Sequence, residues 1–103
     1  MKGYQQGDLI LIQRNSLPSG LKAKTGDRMV LAEGEHTGHA HAIASEYGEL
    51  FEDAKGILWL KVETPAPLVH EEHHVQTVEP GIYEVRRVVE VDPFADEVRT
   101  VMD

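Results

Sequence analysis

Turn-forming residues return at short intervals along this chain, and they constrain its fold more than any other feature. Asn15-Ser16-Leu17-Pro18-Ser19-Gly20, Thr25-Gly26-Asp27, Glu33-Gly34, Asp53-Ala54-Lys55-Gly56, Pro65-Ala66-Pro67 and Pro80-Gly81 each interrupt it. The pieces between them suit short strands better than helices. Asp8–Arg14 holds four consecutive aliphatics and reads as a strand buried on nearly both faces. Arg28–Glu33, His39–Ala44, Glu49–Glu52 and Ile57–Glu63 follow, the last two forming a hairpin through Asp53-Ala54-Lys55-Gly56. Leu68–His70 reads as a short edge piece behind two prolines. Ile82–Val91 is the longest strand, with Tyr83, Val85, Val89 and Val91 on a face that Arg87 interrupts. Its other face, Ile82, Glu84, Arg86, Val88 and Glu90, is mostly polar and is expected to meet water.

Helix signals are thin. Ser19–Lys24 and Pro93–Val98 have room for a turn or two, and Thr77–Arg87 lacks a 3.6-residue apolar stripe. The sequence therefore predicts an all-β domain spanning residues 1–103, a small antiparallel barrel or two-layer roll with little helix. Its expected core is Leu9, Leu11, Val30, Ile43, Leu58, Leu60, Tyr83, Val85 and Val89.

Composition narrows the function classes. The 103 residues carry 10 Lys and Arg against 18 Asp and Glu, a formal charge of −8. Such a chain lacks the basic face that nucleic acid or an anionic membrane requires. With no Cys there is no thiol nucleophile, disulfide, Fe–S cluster or Cys-ligated zinc. The apolar run Leu9–Ile12 is far too short for a signal sequence or a membrane span, so a cytoplasmic protein is expected.

The unusual feature is histidine. All six lie between positions 36 and 74, in Gly34-Glu35-His36-Thr37-Gly38-His39-Ala40-His41 and His70-Glu71-Glu72-His73-His74. Imidazole with carboxylate suits zinc or another divalent transition metal. On a strand His39 and His41 share a face and can chelate one ion. The candidate ligands are His39, His41, His70 and His73, with Glu46, Glu71 and Glu72 as further ligands or as partners that fix a ring tautomer. The competing reading is a polar, pH-sensitive network in a non-enzymatic accessory or interaction module. Full protonation of the six histidines would move the charge from −8 toward −2. A third reading, a hydrolase using a His with Ser45 or Thr37, has no nucleophile-elbow context.

One metal needs both segments together. A simple meander through Glu49–Glu52 and Ile57–Glu63 would hold them three strands, or about 14 Å, apart, too far for zinc bonds of about 2.0–2.1 Å. The barrel must close, the Pro65-Ala66-Pro67 segment must cross over, or the partner chain of a homodimer must contribute. Gly34 and Gly38 are expected to permit close approach to the His39 strand. Trp59 is expected in the core with its N–H paired, Arg86 in solvent, and Arg87 on an acid such as Glu71 or Glu72.

Two motifs match in part. His70-Glu71-Glu72-His73-His74 fits the H-E-x-x-H string of zinc proteases, but that chemistry needs a helix, and Pro65, Pro67 and Pro80-Gly81 flank it. His39-Ala40-His41 followed by Glu46 is similar to the first cupin motif. Gly34, however, is one residue too close to His39, and no His follows Pro80-Gly81 shortly.

Most of the chain resembles a group of short bacterial proteins without an established activity. The shared pattern is Gly7-Asp8 before an apolar run, Leu31-Ala32-Glu33-Gly34-Glu35-His36-Thr37-Gly38-His39-Ala40-His41, then His70-Glu71-Glu72-His73. It closes with Pro80-Gly81-Ile82-Tyr83-Glu84-Val85-Arg86-Arg87 and Glu90-Val91-Asp92-Pro93. The resemblance implies that His39, His41, His70 and His73 belong to the group pattern, and that His36 and His74 are incidental.

Overall fold

Apolar runs joined by tight turns zip into antiparallel ladders, and here the chain lays them down alternately in two sheets. The computed structural model describes residues 3–33 and 38–88. Its strands are β1 (Gly3–Gln6), β2 (Leu9–Arg14), β3 (Lys22–Lys24), β4 (Arg28–Glu33), β5 (Ala40–Ala44), β6 (Gly48–Glu52), β7 (Leu58–Val62), β8 (Ala66–His70), β9 (His73–Val78) and β10 (Gly81–Arg87). A 3-10 turn, Ser45–Tyr47, joins β5 to β6. One sheet runs β1-β2-β10-β7-β6-β3 and the other β4-β5-β8-β9. The sheets stay open, so the two-layer expectation holds and the closed barrel does not. Among the described residues no helix is long and apolar enough to cross a membrane.

One apolar cluster lies between the sheets. Leu9, Leu11, Leu50, Leu60, Val62, Tyr83 and Val85 come from the first sheet, and Met29, Leu31, Ile43, Ala66, Leu68 and Val78 from the second. Leu9, Leu11, Ile43, Leu60, Tyr83 and Val85 are buried as expected. Leu58 packs at the margin. Val30 is only half-buried, because β4 turns Met29 and Leu31 inward instead. A register shift between Val30 and Ala32 then lets Ala32 face inward too. Val89 and the Pro93–Val98 candidate lie outside the described residues.

Other expectations are corrected. Ser19–Lys24 makes no helix; Lys22–Lys24 forms an exposed edge strand on β6, where lysines discourage pairing with another chain. Leu68–His70 belongs to an interior strand, β8, between β5 and β9. Glu84 is buried rather than hydrated. Its Oε1 accepts from Arg14 Nε at 2.9 Å, and its Oε2 accepts from Arg86 Nη1 at 2.8 Å, so Arg86 is paired as well.

The meander objection also falls. After β7 the chain crosses at Glu63–Pro65 into the other sheet, so β8 pairs directly with β5 through Ala42↔Val69. The crossing places both histidine-bearing strands side by side in one chain.

Candidate functional site

Two tight turns meet at the edge of the sheets. Gly7-Asp8 links β1 to β2, and Glu71-Glu72 links β8 to β9, where His70 pairs with His73 across the hairpin. This hairpin removes the helix that a zinc protease needs. Gly7 has φ +59°, and a Cβ there would stand 2.6 Å from His73 Nε2. Glycine thus serves twice, for a backbone conformation other residues resist and for the approach of the His73 ring.

The four predicted imidazoles converge. The His41 ring centroid lies 4.3 Å from that of His70 and 5.8 Å from that of His73, the latter pair stacked within 16° of parallel. His70 and His73 are 4.6 Å apart, and His39 and His70 5.9 Å. His41 is 1% exposed. Its burial, followed by the neighbouring His70, holds its pKa below the ordinary imidazole value despite Asp8. His74 points away into solvent, and only its backbone carbonyl takes part. His36 lies outside the described residues.

The carboxylates have separate tasks. Glu71 Oε1 accepts the Ala40 N–H at 3.0 Å, tying the β8–β9 turn to the start of β5. That backbone bond leads the causes that hold its carboxyl below the usual range. Glu72 Oε2 lies 3.5 Å from His39 Nδ1, and the Glu72 backbone N–H donates to His70 Nδ1 at 3.0 Å. Glu46 does not join them. It is exposed on the 3-10 turn after β5, at the opposite end of that strand from His39. Ser45 Oγ donates to the Gly26 carbonyl, and Thr37 lies outside the described residues. Gly38 takes φ +86°, and among the described residues none stands close enough to meet a Cβ there, so its role is conformational.

Two participants escaped the sequence reading, and a third, Arg87, takes a different partner from the one expected. Gln6 is 2% exposed, and its Oε1 lies 2.8 Å from His41 Nδ1. Gln6 Nε2 donates to the Leu68 carbonyl at 3.0 Å and the His74 carbonyl at 2.9 Å. Asp8 Oδ1 lies 3.3 Å from His41 Nε2. Arg87 donates to Asp8 Oδ2 from Nη2 at 2.8 Å and from Nε at 3.2 Å. It therefore pairs with Asp8 rather than with Glu71 or Glu72. Partial burial pushes the Asp8 carboxyl up, but Arg87, its own backbone N–H and His41 together hold it below the usual range. Gly7-Asp8 opens the pattern singled out in the sequence analysis, and that was the available signal. Among the described residues, no three His, Asp or Glu side chains stand in ligating geometry as they are.

A family model, "Domain of unknown function (DUF8820)", matches residues 5–88. The chain belongs to the DUF8820 family. The match takes in Gln6, Asp8, all four converging histidines and Arg87, so the whole cluster lies within the DUF8820 span. No curated protein and no solved structure matches the chain.

Proposed function

We propose that this DUF8820 domain binds one divalent transition-metal ion, zinc foremost, among the imidazoles of His39, His41, His70 and His73. The observation that carries the reading is the convergence of these rings, from segments about thirty residues apart, with the Asp8 and Glu72 carboxylates beside them. Imidazole ligates as the neutral base, and burial favours that form at His41. Gln6 gives His41 the outer partner that metal-bound histidines commonly have. The test is elemental analysis and thermal unfolding of protein purified without a histidine tag. About one zinc per chain, with a lower Tm after chelation, is expected. Absence of bound metal after zinc addition, with an unchanged Tm, overturns the reading.

One observation favours a second reading. His70 Nδ1 accepts the Glu72 N–H, so a neutral His70 carries its proton on Nε2 and presents a donor to the cluster. A polar, proton-sensitive network in an accessory or protein-interaction module would use the ring in that form. Imidazole NMR titrations that are the same with and without zinc are its signature.

A further inference from the structure

Gln6 fixes the state of His41. Gln6 Nε2 donates to the Leu68 and His74 carbonyls, which sets the amide with its nitrogen toward them. Its oxygen then faces His41 Nδ1, which must carry a proton. In a neutral ring this leaves the Nε2 lone pair directed toward the Asp8 carboxylate, 3.3 Å away. Two electron-pair donors facing each other call for a cation between them.

The separation has room for a proton or for a metal. A charge-assisted N–H···O bond draws its heavy atoms to about 2.7–2.9 Å. Two donors bound tetrahedrally at about 2.0–2.1 Å from one zinc stand about 3.3–3.4 Å apart. The observed 3.3 Å matches the second spacing but is also near the 3.2 Å of the Arg87 Nε–Asp8 bond, so the further imidazole of His73, stacked on His41, is what favours a metal. Arg87 holds the other carboxylate oxygen, Oδ2, so Oδ1 stays turned toward the ring.

We infer that Asp8, through Oδ1, and His41, through Nε2, are the first two ligands of a metal ion at the meeting of the two turns. This rests on the metal-binding reading, narrows its imidazoles to His41 and His73, and adds a ligand from outside both histidine-rich segments. The third donor is His73, whose exposed ring packs against Gly7 and reaches the ion by side-chain rotation. Two imidazoles and one carboxylate leave the ion a coordination position for water or a small anion.

The experiment is Co²⁺ titration, followed by visible and near-ultraviolet absorption, of untagged wild type, Asp8→Asn and Asp8→Cys. Asp8→Asn keeps an oxygen for Arg87, and Asp8→Cys places a thiolate in a protein that has no other cysteine. The expected results are at least a tenfold loss of affinity in Asp8→Asn and a thiolate-to-cobalt charge-transfer band in Asp8→Cys. Wild type supplies an independent readout. Zn²⁺ should move the His41 Nε2 resonance to a metal-bound shift in ¹⁵N-imidazole NMR, even if neither variant folds. Equal affinity in folded Asp8→Asn, no sulfur band in folded Asp8→Cys, or an unmoved His41 Nε2 in metal-loaded protein would overturn the Asp8–His41 assignment and leave metal binding standing. No metal uptake by wild type would overturn both.

Discussion

Gln6 is a polar side chain in a nearly dry place, and every atom it could leave unsatisfied is spoken for. Its amide nitrogen donates to two carbonyls and its oxygen faces one imidazole. Leucine would fit the volume but offer no hydrogen bond. Each stranded buried group costs roughly 1–3 kcal/mol, and some will relax toward solvent. Gln6→Leu is therefore expected to lose about 3 kcal/mol in urea unfolding. A loss of a few tenths would mean that the carbonyls recover partners elsewhere. Asp8 shows the same economy on the surface side of the cluster, with one oxygen on Arg87 and one on His41.

The β6–β7 hairpin is organised by one carboxylate. Asp53 Oδ1 accepts the Lys55 and Ile57 N–H groups at 2.8 and 2.9 Å, and Oδ2 accepts the Trp59 indole N–H at 3.1 Å. Trp59 is the only tryptophan, so its fluorescence reports this turn alone. Asp53→Ala should shift the emission to longer wavelength and lower the Tm; an unchanged spectrum would show that the loop holds without the side chain. This hairpin was legible in the sequence, as were β2, β4 and β5, because apolar runs bounded by turn residues state their own ends. β1, β3 and β9 were not. Gly3–Gln6, Lys22–Lys24 and His73–Val78 are largely polar, and they become strands only because a neighbour offers a ladder. The face of β4 was misread for a different reason: Met29, Val30, Leu31 and Ala32 are all apolar, so the sequence does not show which alternate set faces inward. For the site, histidine spacing named the rings that converge. Gln6 and Asp8 stayed hidden because a lone polar residue beside a turn looks hydrated until the opposing strand is known.

At the scale of the whole molecule, acid is the stress to which this fold is most exposed. The chain carries a formal charge of −8, and several of its carboxyls are held below their ordinary range. Glu84 is the most enclosed of them. Burial alone would raise its pKa, but hydrogen bonds and charge from Arg86 and Arg14 outweigh that and lower it from 4.5. The unfolded chain thus takes up the proton first on acidification. Glu84's contribution is complete above about pH 4.5 and is lost as pH falls through its lower, folded value. Urea midpoints should be steady between pH 7 and pH 5.5 as far as Glu84 is concerned, and should drop below pH 4.5. Glu84→Gln should be less stable at neutral pH and flatter in acid. Parallel curves for the two proteins would show that other carboxyls carry the transition.

The pairing of Arg87 with Asp8 spans 79 residues, and this has a consequence in time. At roughly 5–20 residues per second, translation reaches the arginine about 4–16 s after the aspartate. Throughout that interval the Gly7-Asp8 turn exists without the strand that anchors it. β5 and β8, which carry the histidines, also precede β10 in the chain. The clamp on Asp8 therefore closes only after β10 has been made and has paired with β2.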